Sequence, residues 1–224
     1  MSQGRPSEWP VLFDTAIQIL QHVEAQIGFA PAWSFGGGTA LMLQIDHRES
    51  HDIDLFLDDP QLLPYLNPET QGIELERRPD SYSVEGTSVL KLAYAQTGEI
   101  DFIVCADITG QPTERHDVRG HDVALETPAE IVAKKVYYRG WSFQPRDMFD
   151  LAAVAEHYGN EYAVSALRQA GQDSCGKALG IVENAIPAFV QSINAQLMVR
   201  EKTRHLIGQA QDISRQLLQQ ALTT

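Results

Sequence analysis

The sequence predicts an α+β fold, with an α/β half over residues 1–126 and an all-helical half over residues 127–224. Two observations carry that division. Short apolar stretches with two-residue alternation, separated by Gly, Pro, Asp or Thr, crowd the segment between residues 31 and 105. From Thr127-Pro128 onward the apolar residues recur at helical spacing instead. No internal repeat is present, and the one compositionally biased stretch is a glutamine-leaning tail over 209–220. A chain of 224 residues has the length for one large or two small domains with an ample core.

After Pro10, the residues Val11, Leu12, Phe13, Ala16, Ile17, Leu20, Val23 and Ile27 mark an amphipathic helix. Pro31 to Phe35 reads as a short strand entering the turn Gly36-Gly37-Gly38, and residues 39–45 as a helix of roughly two turns. Residues 53–57 form the next strand, stopped by Asp58-Asp59-Pro60, which is both a turn and a helix start. Four further strands are predicted at 73–76, 81–84, 88–94 and 99–105. Thr127 is expected to cap a helix, with Pro128 at its first position and Glu130 completing a capping box. Helices then follow Pro145, Asn160 and Asp173, and a last one runs over 201–218.

Composition narrows the function. Hydrophobic residues make up 43% and charged residues 21%, ordinary values for a soluble globular protein. The apolar runs are short and broken by charges, so no membrane span is expected, and the N-terminus lacks a secretory layout. Cys105 and Cys175 fit no metal spacing, and Cys105 reads as a small buried hydrophobe in a strand, so a reduced, cytoplasmic protein is the simplest reading. The net charge of −13, from 17 basic and 30 acidic residues, argues against a broad non-specific grip on nucleic acid. It leaves room for a local basic patch and suits docking to a basic protein.

The chemistry concentrates after the glycine turn. Side chains alternate along a strand, so Asp52 and Asp54 point the same way, and a carboxylate pair of that kind suits a divalent metal. The bland reading of Asp-Ile-Asp is a solvent-facing edge strand. Gly36-Gly37-Gly38 tips the balance, because glycines let backbone N–H groups approach a phosphate and the next helix adds positive potential. That turn lacks the lysine of a P-loop and the spacing of a dinucleotide fold, and alone it is a tight strand-to-helix turn. Asp101 sits in an apolar strand and is a third candidate for the metal cluster.

Lys135 and Arg139 share a helix face and, with Lys134, Arg146 and Arg48, could supply cations for a triphosphate. Lys134 reads as a solvated surface lysine, whereas Lys135 falls among Ile131, Val132 and Val136 on the inward face. Asp147 and Asp150 either orient Lys135 or serve as a helix cap and its neighbour. Ser50 could contact a phosphate, an exposed serine being the default. The pairs His116-Asp117 and His121-Asp122 lie in strand-like sequence and read as surface, unlike the helical pairs of phosphohydrolases. Ser50, His51 and Asp52 are no hydrolase triad, since neighbours on a strand face opposite ways.

With these residues assembled, the chain resembles the AbiEii/AbiGii-type nucleotidyltransferase toxin family of the polymerase-β-like superfamily. Five stretches in the family's order carry the resemblance: 37–41 (Gly-Gly-Thr-Ala-Leu), 47–56 with His47-Arg48 and Asp52-Ile53-Asp54, 100–102 around Asp101, 130–136 with Lys135, and 146–151 with Arg146-Asp147. Asp46 stands where the family often has Gly, which alters the helix end and removes no catalytic group. Residues beyond 151 carry no recognised match.

The resemblance implies a nucleotidyltransferase-like mixed β-sheet flanked by helices, then a helical domain closing an active-site cleft. Gly37, Gly38 and Thr39 would hold the triphosphate, with Arg48, Ser50 and Lys135 as further nucleotide contacts. Asp52, Asp54 and Asp101 would hold two Mg2+ ions, Asp101 also serving as base, and Asp147 would support the site. The reaction implied is transfer of a nucleoside monophosphate from an NTP to an acceptor hydroxyl, an RNA or tRNA 3′ end being favoured. An antitoxin encoded nearby is the expected partner. The alternatives are a non-catalytic partner-binding module with this fold, transfer to a protein side chain, and a sugar transferase. Too little chain precedes residue 52 for the last.

Overall fold

The computed structural model describes residues 7–223. The chain divides into two compact units. One comprises the residues up to Ala40, Ser50–Ala106 and Glu114–Leu125; the other comprises Leu41–Glu49, Asp107–Thr113 and the residues from Glu126 onward.

The first unit is built on a mixed sheet. Helix α1 (Trp9–Ile27) buries the apolar positions set three and four apart, Leu12, Phe13, Ala16, Ile19, Leu20 and Val23, and ends on Gly28 in the left-handed region. Strand β1 (Trp33–Gly36) runs directly into helix α2 (Gly37–Ile45), which starts two residues before Thr39. After β2 (Ile53–Leu57) come a 3-10 stretch (Pro60–Leu66), capped by the Asp59 carboxylate, and the short helix α3 (Pro68–Gln71). The remaining strands are β3 (Ser81–Glu85), β4 (Val89–Tyr94), β5 (Gly98–Val104), β6 (Thr113–Val118) and β7 (His121–Glu126).

The sheet order is β3-β4-β5-β2-β1-β7-β6. Strand β1 is antiparallel to β2 and parallel to β7, β2 is parallel to β5, and β4 is antiparallel to both β3 and β5. One face of the central strands is apolar and fully buried, through Phe35, Ile53, Leu55, Ile100 and Phe102, with Phe13 of α1 packed on Phe35 at 5.3 Å between ring centroids. The alternate residues carry the polar chemistry.

Two expectations fail here. Residues 73–76 form no strand. Ile73 is buried, yet its segment has no neighbouring strand, and the Gln18 side-chain amide donates to the Glu74 carbonyl instead. Cys105 is half-buried, since β5 ends at Val104 and Cys105 already belongs to the loop.

The second unit is helical: α4 (Pro128–Arg139), α5 (Pro145–Tyr158), α6 (Asn160–Ala170), α7 (Gln172–Asn184), α8 (Pro187–Asn194) and α9 (Ala210–Leu222), with 3-10 stretches at Gly140–Ser142 and Glu201–Gly208. Thr127 caps α4 by accepting from the Glu130 N–H at 3.2 Å. The reciprocal half of the capping box is absent. The Glu130 carboxylate accepts from the Ile108 and Thr109 N–H groups and the Thr109 hydroxyl, so it serves the 107–113 loop.

The expected helix over 201–218 divides, with the 3-10 stretch ending at Gly208 and α9 continuing to Leu222. Helix α8 was not anticipated; Pro187 sits in its first turn and it buries Val190 and Asn194. The glutamine-leaning tail is amphipathic, and the buried Gln211 amide donates to the carbonyls of Val182 and Ala185 at the end of α7. No helix among the described residues is long and apolar enough to cross a membrane.

Candidate active site

In the sheet unit, the parallel register of β2 and β5 sets Asp54 directly opposite Asp101, and the antiparallel register of β4 sets Lys91 opposite Asp101. Asp52 lies just before β2. Its Oδ1 accepts from the Glu99 N–H at 3.0 Å, and its carbonyl accepts from the Thr39 hydroxyl at 2.5 Å. Glycines make room for both carboxylates of the pair. Gly37 has φ +67°, and a Cβ there would lie 1.9 Å from Asp54 Oδ2. Gly98 has φ +145°, and a Cβ there would lie 2.8 Å from the His51 carbonyl and 3.2 Å from Asp52 Oδ1. Both positions exclude any side chain.

Burial pushes the Asp101 carboxyl up to about 6; the hydrogen bond from Lys91 holds it down in part, and the neighbouring Asp54 charge raises it further. Asp101 Oδ2 accepts from Lys91 Nζ at 2.9 Å, while Asp101 Oδ1 is buried with no hydrogen-bond partner. Burial opposes the charge on Lys91, but its hydrogen bonds to Glu99 and Asp101 outweigh that and lift it above the usual lysine range. A pocket of about 600 Å³ lies alongside, lined by His51, Asp52, Tyr94, Thr97, Gly98 and Glu99. Asp54 and Asp101, in register and with one bare, buried oxygen on Asp101, have the donor chemistry of a hard divalent cation, although among the described residues the ligand atoms of Asp52, Asp54 and Asp101 do not all lie within 4.8 Å of one another. Ser50 is buried rather than exposed, and its carbonyl accepts from the Ser7 hydroxyl at 2.6 Å.

In the helical unit, a second set of charges is buried. Lys135 Nζ lies 3.0 Å from Asp147 Oδ1 and also bonds Asp150, while Arg139 bonds Asp147. Arg48 grips Asp150 with two nitrogens, Nε at 2.7 Å and Nη2 at 2.9 Å, and His47 Nε2 lies 2.9 Å from the same carboxylate. Burial alone would raise Asp150, but Arg48 and Lys135 hold it well below the usual carboxylate range. Asp147 is likewise lowered, Lys135 and Arg139 overcoming its burial. Burial lowers His47, so it is neutral near pH 7 and donates from Nε2 to Asp150.

Arg48, expected among the triphosphate contacts, therefore has its fork engaged with Asp150. Asp147 fills both roles the sequence left open for it, since its Oδ2 also accepts from the Gln144 N–H that begins α5. Asp150, expected with Asp147 to orient Lys135 or to neighbour a cap, bonds Lys135 and is also the hub for Arg48 and His47. Its signal was available in the opposed pairs Lys135/Arg139 on α4 and Asp147/Asp150 on α5.

Lys134 corrects an expectation. It is 5% exposed, with Nζ 2.5 Å from Glu126, 3.3 Å from Asp107 and 3.5 Å from Glu130. Two of these acids lie outside its own helix, so helix periodicity alone gave no sign of them. Asp107, Glu126 and Glu130 form the group of three metal-capable side chains within 4.8 Å among the described residues, and the lysine ammonium stands as its cation. His116, Asp117 and Asp122 are exposed on β6 and β7, and His121 is half-buried with its ring edge toward Phe13.

A family model described as the nucleotidyl transferase AbiEii toxin of type IV toxin–antitoxin systems matches residues 18–222. The chain belongs to this family. No curated protein sequence matches it. Solved structures similar to it include a Helicobacter pylori protein assigned as a nucleotidyltransferase, 18% identical, covering 95% of this chain and 97% of that one, with a TM-score of 0.45. JHP933 of H. pylori is 16% identical over 96% of this chain and 95% of its own, TM-score 0.45, and the antibiotic-resistance factor ANT(2'')-Ia is 16% identical over 75% and 95%, TM-score 0.45. Membership rests on the family match, not on these distant likenesses.

As an AbiEii protein the chain is a nucleotidyltransferase, a class that transfers a nucleoside monophosphate from an NTP, and its type IV system implies an antitoxin. The AbiEii match runs well past residue 151, where the recognised motifs stop, and takes in most of the helical unit.

Proposed function

We propose that the protein transfers a nucleoside monophosphate from an NTP to an acceptor hydroxyl in a Mg2+-dependent reaction, with the 3′ end of an RNA, tRNA above all, as the acceptor. The observation that carries this reading is the in-register pair Asp54 and Asp101, with Asp52 alongside and Gly37 pressed against Asp54. Asp52, Asp54 and Asp101 would hold the divalent metal, which when bound would lower the pKa of the acceptor hydroxyl and neutralise charge on the departing pyrophosphate. The bare Oδ1 of Asp101 and its raised pKa suit it to take the acceptor's proton.

The acceptor oxygen bonds to the α-phosphorus as the bond to the β-phosphate oxygen breaks, releasing pyrophosphate. The 36–39 turn, through Gly37, Gly38 and Thr39, would face the triphosphate with backbone N–H groups. In the helical unit, Asp147 and Asp150 hold the Lys135 ammonium. Arg48 would act through Asp150, which takes its Nε and Nη2.

The test is incubation of the purified protein with each labelled NTP, Mg2+ and total RNA. Label is expected on RNA with at least one NTP and not with Asp52→Ala. Equal labelling by Asp52→Ala, or label on protein and never on RNA, would overturn the reading. A cytoplasmic protein regulated by an antitoxin encoded nearby is the corresponding cellular setting.

A further inference from the structure

The β4–β5 hairpin places one lysine among the carboxylates of the sheet unit, and the motif reading gives it no role. Lys91 stands opposite Asp101 across the two strands, with Nζ 2.9 Å from Asp101 Oδ2 and bonded also to Glu99. Glu99 and Asp101 are two residues apart on one strand, so they share a face. The hairpin thus brings Glu99 and Asp101 toward the carboxylates Asp52 and Asp54, and Lys91 stands between the first two. The neighbours of Lys91, Leu90 and Leu92, are buried on the opposite face, so its aliphatic stem is fixed by the strand while the ammonium is directed at the acids.

Three consequences follow from that position. The ammonium fixes the Asp101 rotamer through one oxygen, which leaves the other, Oδ1, buried and bare. It bonds Glu99 as well, while the β2–β5 register makes Asp101 the carboxylate that stands opposite Asp54. It also cancels one of the negative charges that would otherwise accumulate there.

We propose that Lys91 is a positioning residue of the transfer reaction, a built-in cation that fixes the Asp101 carboxylate through Oδ2 and so keeps its Oδ1 unengaged for the reaction, opposite Asp54 in the sheet. This rests on the reading of Asp52, Asp54 and Asp101 given above. A lysine with a merely structural role would stabilise the hairpin and leave turnover per folded molecule unchanged.

The experiment compares wild type, Lys91→Met and Lys91→Arg by Mn2+ titration without NTP, followed by electron paramagnetic resonance, and by steady-state transfer. Removing one positive charge beside the carboxylates is expected to tighten Mn2+ binding about tenfold in Lys91→Met. Turnover is expected to fall about tenfold with KM for the NTP changed less than about threefold, the pattern of a lost transition-state interaction. Lys91→Arg is expected to recover most of both. Circular dichroism melts establish that each variant is folded. Unchanged turnover per folded molecule in Lys91→Met, whatever its Mn2+ affinity, in a wild-type protein that does transfer, would overturn this inference alone. Absence of transfer by the wild type, with the change in Mn2+ affinity intact, would overturn the transfer reading and leave the placement of Lys91 standing.

Discussion

A methyl group on residue 37 would collide with the Asp54 carboxylate and would also have to occupy φ +67°, so Gly37→Ala loses both room and conformation. The strain alone costs about 1–2 kcal/mol, and relief requires Asp54 to move. Gly37→Ala is therefore expected to lower the melting temperature modestly and transfer activity at least tenfold, whereas Gly28→Ala, with open space around its Cβ, is expected to lower the melting temperature only. Asp101 makes the opposite trade. Its carboxyl sits near 6 in the folded protein, above its unfolded value, so the neutral form's stability is present below pH 4 and is lost as pH rises through 6. Asp101→Asn is expected to melt higher than wild type at pH 7.5 with metal chelated, by about 3 kcal/mol at most, and to match it near pH 4. The same variant is expected to be inactive in transfer. Asp46 holds the end of α2 with φ +44°, a conformation glycine adopts more cheaply, so Asp46→Gly is expected to be tolerated.

At the scale of elements, α5 carries the most consequential burial. Asp150 is fully buried and receives Arg48, Lys135 and His47, so its removal takes the buried Arg48 guanidinium's carboxylate away and leaves Lys135 with Asp147 alone. Asp150→Ala is expected to cost about 3–5 kcal/mol, measured by urea unfolding. Because Asp150 is held well below the usual carboxylate range, its contribution is present above pH 4 and is lost as pH falls through its folded pKa. Acid unfolding of the wild type is thus expected to be steep below pH 4 and shallower in Asp150→Asn.

The sequence made α1, β2, α4 and α5 legible because apolar spacing was regular in all four, each helix carries a proline in its first turn, and Thr127 caps α4. It misled at 73–76, where alternation was present but no strand stands beside it, and at Glu130, whose capping partner lost to the 107–113 loop. Lys134 was misjudged because Glu126 and Asp107, which receive it, lie outside its helix, and the Arg48 and His47 partners of Asp150 were missed because they lie about a hundred residues away.

At the scale of the whole molecule, the boundary near residue 126 follows chain order, while compactness assigns 41–49 and 107–113 to the helical unit as well. Those segments are too short to carry a compositional signature. Asp52 and Asp54 were legible as a pair because strand alternation acts locally, whereas the register that sets Asp101 opposite Asp54 joins distant segments and shows only in the fold; Lys91 was not legible, because a lysine between leucines in a strand reads as ordinary solvent-facing sequence. The net charge of −13 leaves any acceptor RNA dependent on local cations, so transfer is expected to weaken steeply with salt only if several of them contact phosphate. The most direct test of the central claim, that Asp52, Asp54 and Asp101 form a metal-dependent nucleotidyl-transfer site, labels the same NTP at its α- or its γ-phosphate in parallel reactions with Mg2+. The account predicts that α-label becomes acid-insoluble on the acceptor, that γ-label leaves as pyrophosphate, and that Asp54→Asn abolishes both. Acceptor labelling from the γ-phosphate, or undiminished α-label transfer by Asp54→Asn, would contradict it.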